Sequence, residues 1–392
     1  MKAVVCQNAE LTVKNLPEPI PGQGQVLVEV LRCGICGSDL HQRHAADHMH
    51  ALFSNSRLGE KFPAAKDPVV FGHEFSGQIL EYGPGCRKRL KPGTRIVAPP
   101  TIREGRSYET IGLSKKHAGA YAERMILDEF TLLPVPNGLS SDIAALTEPM
   151  AVALHAVNIS EVKSRDVAVV IGCGPIGLAV IAALKAKGVK TVIASDFSPG
   201  RRRFATQCGA DIVVNPAIES PFSRSAEHGF YDDLQDLIDF GIGTYEKLAK
   251  LPLPWWHLWR FGEWVGMKPK SPVIFECVGV PGILQGIIKQ APVWSRIVVI
   301  GACMEPDTFE PAMALPKEIN IKFSIGWTPL EFRDALHLLA DGKLKCAGMV
   351  TGVVGLDGVA NAFDALANPE LHAKILIDPK SPAITPVEIH RR

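Results

Sequence analysis

Over roughly the first hundred residues, apolar positions come in short runs, at 2–6, 26–31, 75–80 and 95–98. Pro21-Gly22, Gly83-Pro84-Gly85 and Pro92-Gly93 separate them. The runs have strand length, and these separators favour turns because proline presets φ and glycine tolerates positive φ. The pattern predicts a small, irregular β-barrel, joined by a strand at 121–127, with a polar loop over 99–119. Ser141-Asp142 reads as the cap of a helix interrupted at Pro149, and 150–158 as a helix bridging to the next domain.

From Val167 the period changes to alternating strands and helices. Strands are expected at 167–171, 191–195, 212–214, 273–276, 296–300 and 319–324. Helices are expected at 175–187, 199–208 and around 283–290. Near-continuous apolar strands in repeated βα units imply a doubly wound parallel sheet of the Rossmann type, in an α/β protein. After Trp327 the chain returns to helices at 329–340 and 356–366 and a last strand at 373–378. Two domains follow: a barrel over 1–151 and 327–392, and a dinucleotide-type domain over 152–326. The tail from Pro379 has three prolines and is expected to be loose.

Gly172-Cys173-Gly174-Pro175-Ile176-Gly177 follows the first of the parallel strands and opens a helix. That is the context in which Gly-x-Gly-x-x-Gly binds a dinucleotide. The glycines admit a pyrophosphate, and the helix N-terminus offers free N–H groups and partial positive charge. Asp196 ends the second strand, 24 residues after Gly172, where a carboxylate accepts ribose hydroxyls. A carboxylate there repels a 2′-phosphate and favours NAD. The nearby Arg201-Arg202-Arg203 run reads as a solvated helix face or as an anion contact, and Arg201 is kept as a cofactor-binding candidate.

The length of 392 residues allows two domains, and 46% hydrophobic with 21% charged residues excludes a disordered chain. The net charge of +1 gives no electrostatic case for nucleic acid. Nine dispersed cysteines are no disulfide framework and point to a reducing, cytoplasmic compartment. The uncharged run 167–184 has the length of a membrane span, but its glycines and proline break it into strand, turn and helix. The N-terminus has too short an apolar core for a signal peptide.

Two pieces carry metal-ligand chemistry: Cys33-Gly34-Ile35-Cys36-Gly37-Ser38-Asp39-Leu40-His41, where a strand ends, and Gly72-His73-Glu74. Cysteine, histidine and glutamate are the donors of a catalytic zinc that keeps an open position. A structural zinc knuckle would need a second Cys-x-x-Cys, and a thioredoxin-like redox pair would open a helix in another fold. His44, His48 and His50 fall in what reads as a polar loop over 42–63.

These stretches, with Pro68-Val69-Val70-Phe71, Gly119-Ala120-Tyr121-Ala122-Glu123, Glu148-Pro149-Met150 and Phe275-Glu276-Cys277-Val278-Gly279, resemble the zinc-dependent medium-chain alcohol and polyol dehydrogenases. The likeness runs nearly end to end and favours the butanediol, sorbitol and threonine dehydrogenase branch, because Glu148 stands where the liver-type branch has cysteine. It implies a GroES-like barrel as the catalytic domain. It also implies zinc held by Cys36, His73 and Glu74, with Glu148 as a direct or water-linked ligand. Cys33 would not be a ligand. Asp39 would orient one, Ser38 and His41 would relay a proton, and Lys374 would reach the cofactor pyrophosphate. The implied reaction is hydride transfer between NAD and a secondary alcohol, diol or polyol, in a homodimer or homotetramer.

Two departures stand out. The 99–119 stretch lacks the four cysteines that hold a structural zinc in many relatives, so one zinc per chain is expected. An insertion at about 216–272 holds Trp255, Trp256, Trp259 and Trp264. It is expected to pack on its own domain, the alternatives being a subunit contact, a wall for a bulky apolar substrate or a membrane-surface patch. Three rival functions are a zinc-free reductase of the same superfamily, a non-catalytic NAD-binding module and a dehydrogenase of formaldehyde–thiol adducts.

Overall fold

The computed structural model describes residues 1–54, 62–136, 138–265 and 270–388. Parts of the 42–63 stretch, of the 216–272 insertion and of the C-terminal tail thus lie outside the described residues. The chain divides into two compact units, Met1–His155 with Gly174–Ala183 and Gly326–Arg392, and Ala156–Cys173 with Leu184–Ile325.

The first unit is built around the strand Gln25–Gly34, which pairs antiparallel with Glu74–Tyr82, Arg124–Asp128 and Lys374–Ile377. Its alternation buries Val26, Val28 and Val30 on one side, as period-two patterning requires. Lys374–Ile377 in turn pairs with Val350–Val354, so the C-terminal segment closes the sheet begun near the N-terminus. A second sheet orders Glu10–Asn15, Lys2–Gln7 and Val69–Val70.

Four local expectations are corrected here. The 99–119 stretch is not a plain loop: Thr101–Glu104 and Ser107–Thr110 form an antiparallel hairpin turning at Gly105, whose φ is +61°. Buried Ile102 and Ile111 anchor it, and Glu104 accepts from Lys116 Nζ and meets His117. Residues Gly37–Phe53 form a helix, kinked at Ala45, so His41, His44, His48 and His50 lie on a helix and not in a loop. Its polar content hid the 3.6-residue period. Pro149 does not interrupt its helix, because Thr147–Ile159 begins just before it, and a first turn tolerates proline.

The tail is docked, at least to residue 388. Val387 exchanges backbone hydrogen bonds with Val353 at 2.9 and 3.0 Å, and Gly355 N donates to Ala383 O. Proline content suggested looseness; glycines decide the matter. A Cβ on Gly355 would lie 2.0 Å from Ser381 O, and one on Gly358 2.6 Å from Ala383 O.

In the second unit six parallel strands lie in the order Ile212–Val214, Thr191–Ser195, Val167–Ile171, Val273–Glu276, Arg296–Val299, Asn320–Phe323. Counted along the chain this is 3-2-1-4-5-6, the dinucleotide-binding order. The insertion leaves after the third strand. Phe222 and Phe230 bury into the core of this unit, and Tyr231 O accepts from Val293 N. Helices Leu234–Ala249 and Trp255–Trp264 follow, and neither has a buried residue. The expected packing of the insertion onto its own domain therefore holds only for its base.

Gly355 has φ −82°, which any residue adopts, so only the tail opposes a side chain there. Gly355→Ala should cost about 1–3 kcal/mol by overpacking and make the chain after Pro379 a site of rapid limited proteolysis. An unchanged digestion pattern and melting temperature would mean that the tail does not sit on this glycine.

Candidate active site

Strand Gln25–Gly34 ends two residues before Cys36, which precedes the first residue of helix Gly37–Phe53. His73 and Glu74 stand where Glu74–Tyr82 begins beside that strand, Glu74 directly opposite Gly34. This pairing brings together residues nearly forty positions apart. One donor atom each from Cys36, His73 and Glu74 lie within 4.8 Å of one another, the one such group among the described residues.

Asp39 organises the group. It is fully buried, and its Oδ2 accepts from Cys36 N at 3.0 Å and from the Tyr121 hydroxyl at 2.8 Å. Its Oδ1 lies 3.4 Å from His73 Nδ1, too far for a good hydrogen bond, and both atoms are otherwise unpartnered. The other ring nitrogen, His73 Nε2, is 3.2 Å from Ser38 Oγ. Burial pulls the His73 pKa down, but the charges of Asp39 and Cys36 push it well above the ordinary value. A site that draws a proton onto a buried imidazole between a carboxylate and a thiol is a site short of positive charge. Sulfur, nitrogen and oxygen donors this close fit zinc.

Cys33 does not compete. It is completely buried, and burial, then the charges of Asp39 and Glu74, raise its pKa far above a normal thiol. It stays protonated, and the thiolate is the form that binds metal.

Glu148 is outside the tight group. It lies on helix Thr147–Ile159, and its Oε1 accepts from Trp327 Nε1 at 3.1 Å. Burial raises its pKa, while the neighbouring His73 charge opposes the rise. His41 shares the helix face of Ser38, three residues on. Burial lowers its pKa, leaving a neutral imidazole able to accept a proton.

Lys374 opens the last strand, as expected, and its side chain is engaged within the first unit. Its Nζ donates to Glu74 Oε2 at 2.6 Å, Glu74 Oε1 at 2.8 Å and Ile35 O at 2.9 Å. An ammonium has three N–H donors, and these are all engaged, with both side chains only 1% exposed. Burial alone would lower its pKa, but Glu74 and then Cys36 raise it, so the lysine is charged. In this structure it neutralises Glu74 and is not free to reach a phosphate.

The glycine fingerprint has the expected local form. Gly172 has φ +90°, and a Cβ there would meet Val278 Cγ2 at 2.6 Å. Helix Pro175–Ala186 starts at Pro175, with Ile176 and Gly177 in its first turn, and Gly174 O accepts from Leu178 N. Asp196 Oδ2 accepts from Cys173 N and Oδ1 from Ser198 N, both at 2.8 Å, so the carboxylate ties the second strand to the glycine turn. Arg201 Nη1 is 4.0 Å from Asp196 Oδ2, whereas Arg202 is spent on the Asp196 and Phe197 carbonyls.

Two contributors were not read from the sequence. Tyr121, fully buried, positions Asp39, and Trp327 holds Glu148. Their only signal was general: buried tyrosine and tryptophan place their polar atom against a partner.

Residues 22–137 match the family model described as an alcohol dehydrogenase GroES-like domain, and residues 175–341 the one described as a zinc-binding dehydrogenase. The chain is 30% identical to (R,R)-butanediol dehydrogenase of Bacillus subtilis (strain 168), over 97% of this chain and 100% of that protein. It is 26% identical to sorbitol dehydrogenase of Bos taurus, covering 96% and 95%. Among solved structures it resembles 2R,3R-butanediol dehydrogenase from Bacillus subtilis, with TM-score 0.72, 30% identity and coverage of 97% and 99%.

Removing one partner of a buried ion pair leaves an unpaired buried charge. Lys374→Met should therefore lower the unfolding free energy by about 3–5 kcal/mol, measured by urea denaturation. Adding Glu74→Gln to that variant should recover most of the loss. Unchanged stability with weakened NAD affinity would instead assign Lys374 to the cofactor.

Proposed function

This chain belongs to the zinc-dependent medium-chain dehydrogenase family, and we propose from that premise that it oxidises a secondary alcohol, diol or polyol with NAD and reduces the carbonyl in reverse. The observation that carries the reading is the close grouping of Cys36 with buried His73 and Glu74 in a chain matching a butanediol dehydrogenase end to end. Cys36 and His73 would hold one zinc ion, with Glu74 beside it and Glu148 as a direct or water-linked ligand. When bound, zinc supplies Lewis acidity that lowers the pKa of an alcohol, and NAD accepts the hydride.

The chain's own residues do the rest. Asp39, fixed by Tyr121 and by Cys36 N, orients the His73 ring and balances its charge. The Ser38 hydroxyl takes the proton released by the substrate and passes it along the helix face to His41. Gly172, Gly174, Pro175, Ile176 and Gly177 receive the pyrophosphate, Asp196 the adenosine ribose, and Arg201 the rim of that pocket. With both Asp196 oxygens already accepting one amide each, spare lone pairs remain for two ribose hydroxyls. The negative charge of the same carboxylate disfavours a 2′-phosphate.

The domains run over 1–151 with 327–392 and over 152–326. The cysteine-free hairpin at 101–110 is held by ion pairs of Glu104, which supports a single zinc per chain. Nine cysteines outside any disulfide support a reducing, cytoplasmic setting, and a homodimer or homotetramer is the expected assembly.

The reading is tested by NAD reduction across secondary alcohols, vicinal diols and polyols. Turnover on at least one class is expected, and its complete absence in zinc-loaded protein would favour a binding module. Asp196→Ala should weaken NAD use and relax discrimination against NADP; a native preference for NADP would transfer the decision to Arg201. Ser38→Ala should keep zinc and NAD binding yet lose about a hundredfold in turnover. A normal rate would show that solvent carries the proton.

A further inference from the structure

The helical hairpin Leu234–Ala249 and Trp255–Trp264 is the largest feature that catalysis leaves unused. Its helices meet where Tyr245 packs on Trp255, 5.0 Å between ring centroids, and within the second helix Trp255 lies 6.5 Å from Trp259. That contact does not cover their apolar surface. Trp264 is 80% exposed, Phe261 59% and Trp256 51%. Leu251 and Leu253, in the turn between the helices, are also exposed.

Charge is divided along the hairpin. The part nearest the domain carries Asp232, Asp233, Asp236 and Asp239. The far part, from Glu246 to Arg260, carries exposed Lys247, Lys250 and Arg260 against a single acidic residue, Glu246. Along the second helix exposed Trp256, Phe261 and Trp264 alternate with the basic His257 and Arg260, and acidic Glu263 is taken up by Trp259 Nε1. Protein interfaces are depleted of charge at their core. Aromatic rings interleaved with basic side chains instead suit the headgroup layer of a bilayer, where the ring sits in the apolar boundary and the cation meets phosphate.

We propose that this hairpin docks the protein onto a bilayer of anionic phospholipid. The basic, tryptophan-bearing tip enters the headgroup layer, and the acidic base keeps the rest of the chain away from it. No helix among the described residues is long and apolar enough to cross a membrane, so the hairpin lies on the surface and does not span it. Such docking would bring an alcohol dehydrogenase to apolar alcohols that partition into lipid.

The test is flotation of the full-length protein with vesicles of mixed phosphatidylglycerol and phosphatidylcholine, and with phosphatidylcholine alone, alongside intrinsic tryptophan fluorescence. The protein should float with the anionic vesicles and its emission should shift to the blue. Lys247→Glu, Lys250→Glu and Arg260→Glu together should reduce partitioning by about a hundredfold or more, since each lost cation alone costs about fivefold. Trp256→Ser, Phe261→Ser and Trp264→Ser together should abolish the shift. Both variants replace exposed residues and should keep wild-type zinc content, alcohol turnover and particle size. The proposal is overturned if the wild type fails to float, or if it binds neutral and anionic vesicles equally. Smaller particles in solution for the aromatic variant would also overturn it, because a second copy of the chain would then cover the patch.

Discussion

The first unit depends on a buried ion pair between residues 300 positions apart, Lys374 and Glu74. Taking both charges out of water is expensive, and only close geometry with every donor engaged repays it. Here the ammonium is shared among two carboxylate oxygens and the Ile35 carbonyl. The pair therefore fixes three segments at once: the end of the strand Gln25–Gly34, the start of Glu74–Tyr82 and the last strand of the chain. Gly34 makes it sterically possible, since a Cβ there would lie 2.2 Å from Glu74 Oε2. The candidate ligands Cys36 and His73 are the immediate chain neighbours of what this pair immobilises.

A second buried network sets the chemistry of those ligands. Asp39 connects Cys36, His73 and Tyr121 through one carboxylate. Its charge raises the His73 imidazole, and it adds to the burial that keeps Cys33 a thiol. Two cysteines three residues apart thus have different fates. Cys36 faces the site at the helix start, and Cys33 is enclosed in the sheet.

What was legible in the sequence was local. The strand–glycine turn–helix at 167–186, Asp196 at the end of the next strand and the Cys36 and His73 pieces could be read from spacing alone. What could not be read depended on distant partners. Nothing near Lys374 announces Glu74, and nothing near Tyr121 announces Asp39. The helix carrying Ser38 and His41 was hidden by its run of histidines and polar residues. The docked tail was hidden by prolines, because its acceptance depends on Gly355 and Gly358, far from the prolines themselves. The tryptophans of the insertion were visible in the sequence, but which of them are exposed emerged only with the folded helices.

The proposed zinc site has a single thiolate, Cys36, completed by nitrogen and oxygen donors. Zinc K-edge absorption of the purified protein measures that composition directly. The expected spectrum has one sulfur at about 2.3 Å and the remaining donors at about 2.0–2.2 Å, from about one zinc per chain. Two or more sulfurs around the zinc would bring Cys33 into the coordination sphere and contradict the separation of the two cysteines on which the site is built.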